Sequence, residues 1–283
     1  MNRKNLLSFL TLTFLVISIA CNSNNNHMLN KIDIIADSLK IKGYKLVWND
    51  EFNLDGKPDT SKWGYDIGGH GWGNNEFQYY THDSVNVRVK DSKLEIEAHY
   101  YEDREIKYTS AKIITKKKGD WKYGRVEVKA KLPTGIGTWP AIWMLPTDRE
   151  YGSWPSSGEI DIMEHVGYDP NVIHGTVHTE AFNHLIGSQV GDQLTIPTSM
   201  TGFHIYAIEW YKNRIDFFVD DNKYFTFPNH NKSYREWPFD KRFYLIMNIA
   251  IGGNWGGVQG VDNSIFPTKM VIDYVRVYAR TTQ

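Results

Sequence analysis

The chain has 283 residues, 41% of them hydrophobic and 14% aromatic, with a formal net charge of −1. Such a length suits one large β domain or two smaller ones, and the near-balanced charge without a basic stripe argues against nucleic acid and for a neutral substrate. A single cysteine, Cys21, excludes a disulfide framework.

The N-terminus reads as a secretion signal over residues 1–20. Asn2, Arg3 and Lys4 form a positive region, and Leu6 to Ala20 is an apolar stretch too short for a membrane span. Ser18, Ile19 and Ala20 before Cys21 resemble a bacterial lipobox, which predicts cleavage before Cys21 and lipidation of that cysteine. Residues 21–42 read as a polar tether that opens with Asn22 to Asn26. Ile32, Ile35, Ala36 and Leu39 fall at helical spacing and allow a short helix there. The expected setting is the bacterial cell envelope, lipid-anchored and outward-facing, or secretion.

From residue 43 the text changes to short β-rich runs punctuated by Gly, Pro, Asn and Asp. Val85 to Val89 and Leu94 to Ala98 flank Lys90-Asp91-Ser92-Lys93, a predicted hairpin. Gly124 to Lys131 alternates for eight residues. Its polar face, Arg125, Glu127 and Lys129, is read either as groove lining or as plainly solvated. Further strands are predicted over His174–His178, Phe203–Tyr211, Arg214–Val219, Phe243–Ala250 and Met270–Tyr278. No linker and no repeat interrupts residues 43–283, and the pattern predicts an all-β sandwich.

Three carboxylates, Glu159, Asp161 and Glu164, lie within the apolar run of Ile160, Ile162, Met163 and Val166. On a strand, Glu159 and Asp161 share a face, and Glu164 joins them only if a β-bulge adds one residue. A bulge is therefore predicted at Ile162 and Met163. Four regular steps separate the glutamate Cα atoms by about 13 Å, so bending and long side chains must bring the carboxyls together. A carboxylate pair of this kind is what glycosidic hydrolysis requires. Ten tryptophans, among them Trp139, Trp143 and Trp154 beside the acids, suggest stacking platforms for sugar rings. His174 and His178 share a strand face, but no third metal ligand is apparent, and satisfied histidines are the expected reading.

The ordered motifs resemble glycoside hydrolase family 16, in its laminarinase-like branch. They include Trp48 to Phe52, Gly71 to Tyr80, Tyr123 to Glu127, Trp139 to Pro146, Gly158 to His165, His174 to His178, Gly252 to Gly257 and Asp273 to Tyr278. The resemblance implies a β-jelly-roll sandwich of two antiparallel, concanavalin-like sheets with a concave substrate cleft. It implies an endo-acting, retaining β-1,3-glucanase. Glu159 would be the nucleophile, Asp161 its hydrogen-bonding partner and Glu164 the acid/base. Met163 fits the laminarinase spacing, since the lichenan- and xyloglucan-cutting branch typically has one residue fewer. Trp139, Trp143, Trp154, Asn75, His178 and Trp255 would contact substrate. Catalysis would need no cofactor.

The resemblance also implies a structural calcium, with the main-chain carbonyl of Glu51 and the carboxylate of Asp273 among its ligands. Two departures bear on these expectations: Lys129 stands where arginine is frequent, and Ser92 where a turn glycine is usual. The implied partners are β-glucan and, through Cys21, a membrane. A monomer is expected, with no nucleic acid. Other readings are a family member acting on mixed-linkage glucan or galactan, a transglycosylase, and a non-catalytic glucan-binding protein.

Overall fold

The computed structural model describes residues 41–281. The signal, Cys21 and the helical spacing near Ile32 lie outside the described residues. Strands β1 (Tyr44–Asp50), β2 (Gly64–Tyr65), β3 (Tyr79–Tyr80), β4 (Val87–Lys90), β5 (Lys93–Tyr100) and β6 (Tyr108–Ser110) come first. Then follow β7 (Lys112–Ile114), β8 (Gly124–Lys131), β9 (Thr138–Pro146), β10 (Glu159–Glu164), β11 (Val172–His178) and β12 (Val190–Thr195). The last are β13 (His204–Trp210), β14 (Arg214–Val219), β15 (Asn222–Pro228), β16 (Phe243–Ile251) and β17 (Thr268–Arg280).

They form two sheets. One runs β15-β14-β13-β8-β17-β5-β6-β3, with β1 also on β17 and β4 on β5; the other runs β12-β11-β10-β9-β16-β7-β2. The core lies between them. Val126, Val128 and Ala130 of β8 and Tyr206 and Ile208 of β13 face Ile160 of β10 and Leu245, Met247 and Ile249 of β16 within one buried cluster. Burying each large apolar side chain contributes about 1.5–3 kcal/mol. All nine residues of β16 are buried, because its outer face is also covered. Tyr244 and Ile246 there join Ile114, Trp143 and Leu145 in a second, separate apolar cluster.

The expected all-β sandwich is what forms. The β8 and β14 boundaries match the predicted runs, and the others differ by a few terminal residues. The Arg125, Glu127 and Lys129 face needs correction, since it neither lines a groove beside the acids nor is plainly solvated. Strand β8 belongs to the other sheet from β10. Arg125 and Glu127 are buried and paired, Nε to Oε2 at 2.9 Å, with Glu209 on the same guanidinium at 3.4 Å.

The β4–β5 hairpin forms as expected, with Lys90 opposite Lys93. Asp91 (φ 52°) and Ser92 (φ 55°) both take the left-handed conformation, which a two-residue turn of type I′ demands. Asp55 supports them by accepting from the backbone N–H groups of Asp91 (3.2 Å) and Ser92 (3.3 Å). Serine holds this conformation at a cost of roughly 1 kcal/mol that glycine avoids. Ser92→Gly is therefore expected to raise the thermal midpoint by about 2–4 °C, read by calorimetry.

Candidate active site

Strand β10 positions the three acids. On its β9 side, Asp161 pairs with Trp143 and Met163 with Ile142, so one extra residue falls between them. On its β11 side, Asp161 pairs with Thr176 and Glu164 with His174, again with one residue in excess. This is the expected bulge. Two successive residues, Ile162 and Met163, both enter the core (1% and 0% exposed). Glu164 thereby returns to the outer face with Glu159 and Asp161.

Each glutamate receives an indole N–H. Trp139 Nε1 donates to Glu164 Oε1 at 3.0 Å, and Trp154 Nε1 donates to Glu159 Oε2 at 2.9 Å. Two of the three tryptophans expected as sugar platforms, Trp139 and Trp154, orient the carboxylates. Trp139 meets Trp255 edge-on (5.4 Å), and Trp255 meets His174 (5.0 Å), which builds one aromatic group beside Glu164. Trp154, His178 and His184 build another beside Glu159, with ring centroids 5.0–6.0 Å apart. Trp143 lies in the floor, its Nε1 donating to Asn248 Oδ1 at 2.8 Å.

Asn75 is exposed at the rim. It donates to Asn254 Oδ1 at 2.8 Å and so ties the Gly71–Tyr80 segment to the loop that carries Trp255. Gly252 sits in that loop at φ 67°, where a Cβ would lie 2.5 Å from the Phe77 ring; only glycine fits both the conformation and the contact. His178 Nε2 lies 3.4 Å from Asp161 Oδ2 and 3.9 Å from Glu159 Oε1. Burial and the neighbouring His184 pull its pKa down to about 4, so the ring is neutral near pH 7.

Burial raises all three carboxyls above the usual range. Taken singly, Glu159 lies higher, about 8 against about 7 for Glu164, because it also faces the Glu164 charge. The donors nonetheless favour leaving the shared negative charge on Glu159. Trp154, the Lys112 ammonium and the Asp161 hydroxyl all lower it, whereas Glu164 has Trp139 alone and faces Glu76.

Sequence reasoning missed Lys112, Glu76, Asn248 and His184. Lys112 Nζ sits 4.3 Å from the Trp72 ring centroid and 4.8 Å from that of Trp143, with Asp66 at 3.5 Å. A lone lysine on the three-residue β7 gave no periodic signal. Glu76 accepts from Gln78 Nε2 (2.6 Å) and Asn74 Nδ2 (3.2 Å). It lies inside the Gly71–Tyr80 motif, which was legible as a motif but not as a carboxylate site.

The calcium expectation at Glu51 and Asp273 meets a different arrangement. Asp273 Oδ2 is 2.9 Å from Lys129 Nζ, and Oδ1 is 3.6 Å from Lys93 Nζ. Arg276 grips the Glu51 carboxylate with two bonds of 2.9 Å. Two ammonium groups thus engage the Asp273 carboxylate, whereas Arg276 occupies the Glu51 side chain rather than the main-chain carbonyl that the resemblance assigns to the ion.

The family model for glycosyl hydrolases family 16 matches residues 72–276. The chain belongs to glycoside hydrolase family 16. It is 57% identical to a β-glucanase of Rhodothermus marinus, over 84% of this chain and 86% of that protein. The solved laminarinase from Rhodothermus marinus superposes with a TM-score of 0.81 at 56% identity, covering 84% of this chain and 98% of the other. SCLam, a non-specific endo-β-1,3(4)-glucanase of family 16, gives 0.80 at 48% identity, covering 85% and 92%. The two-sheet architecture agrees with these family 16 neighbours.

Two outcomes follow from the donors and the burial in this family 16 site. Trp154→Phe removes an N–H that lowers Glu159, so the acid limb of the pH–activity profile is expected to move to higher pH. A titration of kcat/KM checks it. Glu164→Gln removes a carboxyl whose folded pKa is raised to about 7. Below the unfolded value, about 4.3, the group is protonated in both states and costs nothing. Above it, the unfolded chain releases a proton that the fold retains, and stability falls until the folded group ionises. The glutamine variant should therefore gain in melting temperature over the parent increasingly from about pH 4 to about pH 7, by about 2–4 °C per kcal/mol.

Proposed function

We propose that this chain is an endo-acting, retaining β-1,3-glucanase that cleaves laminarin-like glucans and accepts mixed β-1,3/1,4-linkages. The observation that carries the reading is the one-residue bulge in β10, which sets Glu164 on the face of Glu159 and Asp161, between two aromatic groups. The linkage preference follows the laminarinase and the endo-β-1,3(4)-glucanase with which the chain shares about half its residues.

In this reading Glu164, kept protonated by burial, gives its proton to the glycosidic oxygen as Glu159 attacks the anomeric carbon from the opposite face. The aglycone leaves, and a glycosyl ester on Glu159 remains. With Glu159 now neutral, Glu164 no longer faces a second charge and accepts a proton from water. That water cleaves the ester with a second inversion, so the configuration is retained. Asp161 keeps its proton and hydrogen-bonds Glu159. The residue is 2% exposed, and burial with two neighbouring carboxylates raises its pKa well above the usual range. No cofactor takes part.

The test is incubation with laminarin, lichenan, curdlan and agarose, with products read by size and anomer. A ladder of short oligosaccharides from laminarin, formed first as the β-anomer, is expected. Initial α-anomer would overturn retention, and cleavage of agarose alone would overturn the substrate. Glu164→Gln should lower kcat on laminarin by about 10²–10⁴-fold.

We further propose that Cys21 is lipidated after cleavage of residues 1–20 and holds the domain outside the cytoplasm on the tether 21–42. Support comes from the small residues before Cys21 and the polar run after it. Full-length protein should partition into detergent phase and Cys21→Ser into the aqueous phase. Equal partitioning of the two would remove the anchor.

A further inference from the structure

Three potential ligand atoms converge at the nucleophile end of the site. A carboxylate oxygen of Glu159, one of Asp161 and a ring nitrogen of His178 all lie within 4.8 Å of one another. Two ligands held about 2.1 Å from one ion can be at most about 4.2 Å apart. The His178 Nε2 separations, 3.4 Å to Asp161 Oδ2 and 3.9 Å to Glu159 Oε1, already satisfy that limit. The widest permitted gap closes with a movement of about half an ångström.

Two polar atoms there have no hydrogen-bond partner. Asp161 Oδ2 is buried and unpartnered, in a residue 2% exposed, and it points at His178. His178 Nδ1 is also buried and unpartnered. Nε2 faces both carboxylates, so an ion seated there would replace the Nε2 proton and leave the remaining ring proton on Nδ1. Trp154 occupies Glu159 Oε2, which leaves Oε1 to face the imidazole.

We propose that Glu159, Asp161 and His178 bind one borderline transition-metal dication, such as Zn²⁺ or Cu²⁺, and that this ion excludes substrate. One imidazole with two carboxylates suits those ions better than Mg²⁺ or Ca²⁺, which prefer all-oxygen shells. Three protein ligands leave a further position open for water. Binding releases the proton that Asp161 otherwise keeps, and the dication then compensates two buried carboxylates at once. The metal takes the oxygen that must attack the sugar, so ion and glucan compete. That competition rests on the function proposed above, whereas the metal binding does not.

The experiment uses Cu²⁺ on the folded protein, read by electron paramagnetic resonance with pulsed detection of coordinated nitrogen. One bound equivalent showing one imidazole is expected, and His178→Asn should abolish the nitrogen signal. Asp161→Asn, as a second variant, should weaken Cu²⁺ binding while keeping the imidazole. Bound copper without nitrogen, or a nitrogen signal that persists in His178→Asn, would overturn the site. In the activity arm, Zn²⁺ should inhibit glucan cleavage competitively. His178→Asn should raise the inhibition constant at least about tenfold, and an unchanged constant would overturn the proposal. If no glucan is cleaved, the proposed function fails while the copper spectra still decide the metal site.

Discussion

Strand β10 must satisfy two incompatible demands in six residues. Its inner face has to fill the core between the sheets, and its outer face has to carry three acids. Strict alternation would serve both, but the segment carries one residue too many. The fold absorbs the excess at Ile162 and Met163, both of which enter the core. The apolar burial thus pins the bulge, and the bulge pins the acids. Strands β9 and β11 on either side hold it in register, so the spacing of the carboxyls is set by backbone ladders rather than by loops.

Burying three carboxyls together is electrostatically unfavourable, and the surroundings show how the cost is met. Indole N–H groups bind one oxygen of each glutamate without adding charge. A buried ammonium, Lys112, lies between two indole rings and acts on Glu159 from a distance. Burial and the two neighbouring glutamates disfavour ionisation of Asp161. The site therefore holds a proton where solvent-exposed glutamates would have lost it, as acid catalysis near neutral pH needs.

Much of this was legible in the sequence because it rests on period. The eight-residue alternation of Gly124–Lys131 gave β8, and the misfit of Glu164 in an otherwise alternating run gave the bulge. The tryptophans were legible as neighbours of the acids, but their N–H bonds were not. Which way an indole turns depends on packing across strands distant in sequence. Lys112 and Glu76 were illegible for the same reason: β7 reaches the site only through its pairing with β16, and Glu76 only through its bridge to Gly252. The polar residues of β8 alternate as a wet face would, yet Tyr278, Glu209 and their neighbours cover them.

The two indole donors differ in how they are held. Trp139 belongs to β9, a central strand of the seven-stranded sheet, whereas Trp154 stands in the loop between β9 and β10. That loop is fastened by Tyr151 to Asp240 (2.9 Å) and by Ser157 to Gly152 (2.7 Å). Glu164 is thus wired to the scaffold and Glu159 to a surface segment. A shift of that loop would change the donor to Glu159 while leaving the donor to Glu164 in place. Substitutions in the β9–β10 loop can thereby tune one carboxyl and substitutions in β9 the other.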